Sequence, residues 1–172
     1  YAYVGWAPEP TQHNLCYNGD FESSTYGTTG WAVTAVASVC GAATSITRVT
    51  TAAKYGTASG EVVVPLNATA DKGASFRIPR PTTEGQVLFA GCWVRSAADT
   101  DNVQILLGNT TDGVTAGTVA TLSTTWQFIT CVMSTVLTAH RTEFYAAVVQ
   151  DTINTAATWQ FDGFFVMDAN PA

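Results

Sequence analysis

Charge is scarce in this chain. Asp, Glu, Lys and Arg make up 12% of its 172 residues, about half of the roughly 25% usual for a globular domain. Lys and Arg number only seven against 13 acids, giving a formal net charge of −6. Binding a phosphate backbone takes clustered cations, and no cluster is present, so nucleic acid is excluded as a ligand class. Long apolar runs are missing as well. No stretch reaches the roughly 18 apolar residues of a membrane-crossing helix, which excludes membrane insertion by that route. Histidine is limited to His13 and His140, and no Ser or Cys has the surroundings of an activated nucleophile. Glycoside hydrolysis needs two acids held about 5–10 Å apart in a cleft. Here Glu22, Glu61, Glu84, Glu143 and several aspartates fall mostly in turns or at strand ends. A non-catalytic chain is the expectation.

Helix signals are nearly absent, and what is present instead is Thr and Val in short runs where apolar and polar residues alternate. The alternation predicts strands at 17–22, 31–39, 45–49, 60–64, 74–78, 86–95, 102–108, 118–122, 126–134, 143–150 and 158–167. Turn-like clusters at 27–30, 54–59, 71–73, 99–102 and 112–117 separate several of them. Short strands so spaced predict an all-β fold, a two-sheet antiparallel β-sandwich. One domain suits the length. Pro8 and Pro10 stiffen the first residues, since each fixes its own φ and biases its predecessor away from helix. Residues 1–13 therefore read as a linker or connector and 14–172 as the domain. Cys16, Cys40, Cys92 and Cys131 lack the close pairs of a zinc site. They are either buried free thiols or disulfide partners, with three pairings open.

Two motifs frame the domain. Near the start stand Asn14, Leu15, Asn18, Gly19, Asp20, Phe21 and Glu22, followed by Gly30 and Trp31; near the end, Trp159, Gln160, Phe161, Asp162, Gly163, Phe164 and Phe165. Between them come a small-residue stretch leading into a Val-rich strand (52–64), then Cys92-Trp93-Val94-Arg95, then Trp126-Gln127-Phe128. This order resembles carbohydrate-binding modules of the family 4, 9 and 22 type, which are jelly rolls. Similar domains occur in bacteriophage tail and baseplate proteins. The resemblance implies a structural calcium where the first and last strands meet. Its ligands would be Glu22, a backbone carbonyl in the region of Lys54, and Asp162, with Asp20 as a further candidate. Calcium takes six to eight hard oxygen ligands. The alternative is that these are ordinary strand-end acids.

Sugar binding also follows from the resemblance. It rests on aromatic faces for the CH surface of the ring and on planar polar groups for the hydroxyls. Trp93 shares strand parity with Phe89 and Arg95, so one face of that strand is either core or cleft. Gln104 and Gln150 interrupt apolar strands; each is either an outward position on a solvated sheet or a ligand contact. The expectation is one concave floor presenting Trp93, Arg95, Gln104, Tyr145 and Gln150 to a polysaccharide or cell-surface glycan. Three functions follow. The first is a domain of a phage tail or other virion protein that attaches to host glycans. The second is a module of a secreted polysaccharide-degrading enzyme. The third is a structural or decorating virion jelly roll acting through protein contacts. The partners are then other virion or enzyme domains, and the location virion or extracellular.

Overall fold

The computed structural model describes residues 14–169 except 37–38, 67–68, 70, 80–81, 83, 134–138 and 152–154. The predicted connector, 1–13, lies outside the described residues. Within them all regular structure is strand. In chain order these are β1 (Trp31–Ala32), β2 (Gly41–Ala42), β3 (Ser45–Val49), β4 (Ser59–Val64), β5 (Lys72–Arg77), β6 (Leu88–Arg95), β7 (Asn102–Asn109), β8 (Gly113–Ala116), β9 (Ala120–Thr121), β10 (Gln127–Val132), β11 (Tyr145–Gln150) and β12 (Ala157–Asp168). A seven-stranded sheet runs β1-β5-β11-β7-β8, with β2 beside β5 and β9 beside β7; a five-stranded sheet runs β10-β6-β12-β4-β3. Pairing is antiparallel except for the two-residue contact of β2 with β5. The sandwich matches the expectation from alternation, and its jelly-roll layout the one that the resemblance implies.

Period two in the sequence becomes two faces in space. Leu88, Ala90, Cys92 and Val94 of β6 pack inward with Trp159 and Phe161 of β12, and against Phe76, Ile105, Ala146 and Val148 of the facing sheet. Alternate residues of β6, namely Phe89, Trp93 and Arg95, are only half-buried and lie on the outer face. One irregularity controls β12. Phe161 and Phe164 both point into the core although an odd number of steps separates them, because the register against β6 shifts between Asp162 and Phe165. Gly163 supplies the extra residue at φ 61°. A bulge with glycine in the left-handed region is the standard way to insert one residue without breaking the ladder.

The opening motif departs from its expected form. Residues 17–22 form no strand: they turn at 17–18 and bend at 19–20, and Phe21 takes φ 55°, outside regular strand geometry. The segment still lies along β12. The Leu15 N–H donates to the Val166 carbonyl, the Phe164 N–H to Gly19, and Asn14 accepts the Val166 N–H. Phe21 is held in that conformation by its burial among Trp31 and Phe161. The predicted 31–39 strand is cut short at Ala32, because the Val39 and Cys40 N–H groups turn back to the Val36 carbonyl. Residues 113–116, expected as a turn, pair with β7. All four cysteines are free and buried. Burial pushes the Cys16 and Cys40 thiols up to about 12.

Candidate functional site

The outer face of the five-stranded sheet carries a row of unlike polar groups. Arg95 of β6 pairs in register with Gln160 of β12, and Gln160 with Glu61 of β4. Strand neighbours are about 4.8 Å apart, so the three side chains form a line across the sheet. The Gln160 amide donates to Glu61 Oε2 at 2.7 Å. Gln160 Oε1 and Arg95 Nε are buried and have no hydrogen-bond partner among the described residues. The guanidinium carbon of Arg95 lies 5.8 Å from the Trp126 ring centroid.

Beside this row runs a band of rings. Trp93 packs on Phe128 at 5.2 Å between centroids and on Tyr55 at 6.4 Å; Phe128 stacks on Phe165, and Phe165 meets Phe89. Gly91 makes the band possible, since a Cβ there would stand 2.7 Å from Phe165 and 2.9 Å from Phe128. Tyr55 is 53% and Phe128 47% exposed. The Lys54 ammonium sits 3.9 Å from the Trp93 centroid.

Lys54 and Tyr55 are held there by Asp162. Its Oδ2 accepts the Lys54 N–H at 2.7 Å and the Tyr55 N–H at 2.8 Å, while Oδ1 accepts the Gly163 N–H. Asp162 points outward from β12, opposite Trp93, yet has no exposed surface because the loop lies over it. Burial raises its pKa, those amides oppose the rise, and the nearby Glu22 adds to it. Glu22 secures the other end of the same loop. Its Oε1 accepts the Thr57 and Ala58 N–H groups, both at 2.9 Å, and Oε2 the Thr57 hydroxyl. These amides, Thr57 first, pull the Glu22 pKa below the ordinary range. The two expected calcium carboxylates thus meet one loop, but the groups facing them are N–H and O–H donors rather than the oxygens a hard cation needs. Asp20 stays outside that pair, exposed, accepting the Glu22 N–H at 3.3 Å. Among the described residues no three acids, cysteines or histidines cluster closely enough to hold a metal. As arranged, the carboxylates of Glu22 and Asp162 are taken up by the amides and hydroxyl of one loop, and Asp20 lies apart from them.

The expected single floor of five residues is divided among three places. Trp93 and Arg95 share the outer face just described. Gln104 and Tyr145 lie on the outer face of the other sheet, opposite Val149 and Gly108 respectively. Gln104 is buried there, donating to Asp151 at 3.0 Å and to Asp71 at 3.3 Å. Gln150 is on neither outer face. It shares parity with Ala146 and Val148, has no exposed surface, and its amide donates to the Thr155 hydroxyl at 2.6 Å. Alternation fixes which residues share a face but not which way it points, so the strand-end Gln150 went inward. Trp31 and Trp159 are core. Sequence reading missed Gln160, Glu61 and Lys54 as members of this face. Gln160 shares parity with Asp162, which is the signal that would have found it.

No family model and no curated protein matches the chain. Solved structures do. The CBM22-1 xylan-binding domain of Xyn10C from Paenibacillus barcinonensis superposes with a TM-score of 0.66 at 14% identity, over 94% of this chain and 97% of that one. The fold is that of a carbohydrate-binding module. The CBM22-1-GH10 portion of xylanase 10B from Clostridium thermocellum, complexed with xylohexaose, matches at TM-score 0.64 and 15% identity, over 92% of this chain and 29% of that one. The enzymatically active domain of bacteriophage CBA120 tailspike protein 4 matches at TM-score 0.58 and 13% identity, over 90% of this chain and 21% of that one. The same fold therefore occurs as a part of longer proteins, among them a xylanase and a phage tailspike.

Proposed function

We propose that the chain is a non-catalytic glycan-binding module, and that the outer face of the five-stranded sheet is where a polysaccharide or cell-surface glycan sits. The observation that carries this reading is the line of Arg95, Gln160 and Glu61 beside Trp93, with Arg95 Nε and Gln160 Oε1 unpartnered. A sugar ring offers an apolar CH surface and hydroxyls that both donate and accept. Trp93 and Tyr55 suit the first; a guanidinium donor, an amide oxygen and a carboxylate suit the second. The module fold supports the same reading. For its setting we propose attachment of a phage tail or other virion protein to host-surface glycans, supported by the tailspike neighbour. The xylanase neighbour supports equally a module carried by a polysaccharide-degrading enzyme. In either setting the location is virion or extracellular.

Retention in native gels cast with bacterial wall and plant polysaccharides tests the binding. Selective retardation by one polymer, lost in Trp93→Ala, is the expected result; no retardation across the panel removes glycan binding. That second outcome would favour a structural virion jelly roll docking through the exposed Phe128 and Val132. Calcium at Glu22 and Asp162 is a separate proposal, supported by two carboxylates converging on one loop. It requires residues 54–58 to present carbonyl oxygens in place of amides. Melting with calcium and with chelator decides it, since an equal Tm in both removes the ion.

A further inference from the structure

Two cations on this face have no carboxylate partner among the described residues. Among the described residues, Arg77 pairs with Glu143, Arg141 pairs with Asp112, and Arg48 is spent on the Phe21 and Glu22 carbonyls. Lys54 and Arg95 instead rest on tryptophan rings, Lys54 on Trp93 and Arg95 near Trp126. Ring contacts of this kind position a cation and partly dry it without neutralising its charge. In a chain with 13 acids and seven Lys and Arg, two adjacent unpaired cations run against the overall balance. Trp93, on whose ring Lys54 rests, and Arg95 are two residues apart on one strand, so their backbone positions are about 7 Å apart along β6.

We propose that the glycan taken by this face is acidic, a polysaccharide of the uronic-acid class whose carboxylate docks on Arg95 with Lys54 beside it. This inference rests on the glycan-binding reading above. A guanidinium presents two parallel N–H donors that match a carboxylate, and the unpartnered Arg95 Nε is one of the donors such a fork uses. Glu61, about 10 Å away across two strands, faces Gln160 and would repel a second acid. The carboxylate therefore lies at the tryptophan end, and the hydroxyls of the next residue meet Gln160 Oε1 and Glu61.

The test compares polygalacturonate, alginate and hyaluronate with carboxyl-reduced polygalacturonate, xylan and galactan, using the whole chain in affinity gels. Retention by at least one acidic polymer is expected, falling about tenfold in Arg95→Gln and weakening with added salt. If polygalacturonate is the retaining polymer, carboxyl reduction should abolish retention. Lys54→Gln should weaken retention as well, and matched melting curves should show both variants folded. Retention by neutral polymers alone, or equal retention of polygalacturonate and its reduced form, overturns the acidic ligand and leaves glycan binding standing. Acid retention untouched by both substitutions overturns the assignment to Arg95 and Lys54. Retention by none overturns both readings.

Discussion

The two outer faces of the sandwich use similar residues for different ends. On the seven-stranded sheet Leu106, Ala147 and Val149 are covered by Val36, Val39 and Cys40 from the segment that follows β1. The polar groups around them satisfy one another: Gln104 takes Asp71 and Asp151, and Arg77 takes Glu143. On the five-stranded sheet the rings of Tyr55, Trp93 and Phe128 are left partly open, and the adjoining polar atoms are left partly unsatisfied. One face has spent its contacts on the fold. The other holds contacts in reserve, which is where an external ligand gains most, since a buried polar atom without a partner costs about 1–3 kcal/mol.

Breaking the comparison most severely should be Asp162→Ala. Three amides lose a charged acceptor, partly offset by relief of a buried carboxylate, for a net loss of about 2–3 kcal/mol in urea unfolding. Glycan retention should fall as well, because Lys54 and Tyr55 lose their anchor although Asp162 touches no ligand. Next, Trp93→Ala should abolish retention while costing less than about 2 kcal/mol, well under the 3–5 of a buried aromatic. A larger loss would put that ring in the core. Smaller still, Gln104→Ala on the opposite face should cost about 1 kcal/mol by stranding two carboxylates and leave retention unchanged; reduced retention would move the site to the seven-stranded sheet.

Acid should sharpen the comparison least. Glu22 has a depressed pKa in the folded chain, so its contribution is complete above the unfolded value of about 4.3 and is lost as pH falls through the lower folded value. Asp162 has a raised one, so its ionised form costs stability above its folded pKa, and that cost disappears on acidification below about 3.9. Urea midpoints from neutral pH to about pH 3 should fall at the acid end in the parent chain and fall less in Glu22→Gln. Parallel curves would show that the amides of Thr57 and Ala58 do not hold Glu22.

Most of the sandwich was legible because alternation is strong: β3, β4, β6, β7, β11 and β12 all lie where the apolar period places them. The pairing of Trp93 with Arg95 on one face followed from the same parity. Other features depended on information that no local pattern carries. Phe21 looks like a strand residue but takes a positive φ because distant aromatic rings enclose it. Gln150 and Gln104 interrupt apolar runs in the same manner, yet one ended inside and one outside, since each found its own partners in Thr155 and in Asp71 and Asp151. The convergence of Glu22 and Asp162 on the loop near Lys54 was implied by the opening and closing motifs. That amides would meet those carboxylates depended on how the loop folds back, which motif order does not specify.

The bulge at Gly163 gives β12 something like a reading frame. Residues before it are in one phase and residues after it in the other, so that Phe161 and Phe164 both reach the core while Asp162 and Phe165 both face outward. Deleting Gly163 would remove the extra residue and merge the two phases into one unbroken alternation, with Phe161, Phe164 and Val166 still inward. Deleting Gln160 instead would make Trp159 and Phe161 neighbours, and adjacent strand residues cannot both face the core. Substitutions along this strand can therefore be absorbed one at a time, whereas a change in its length by one residue away from the bulge turns a whole half of the strand over.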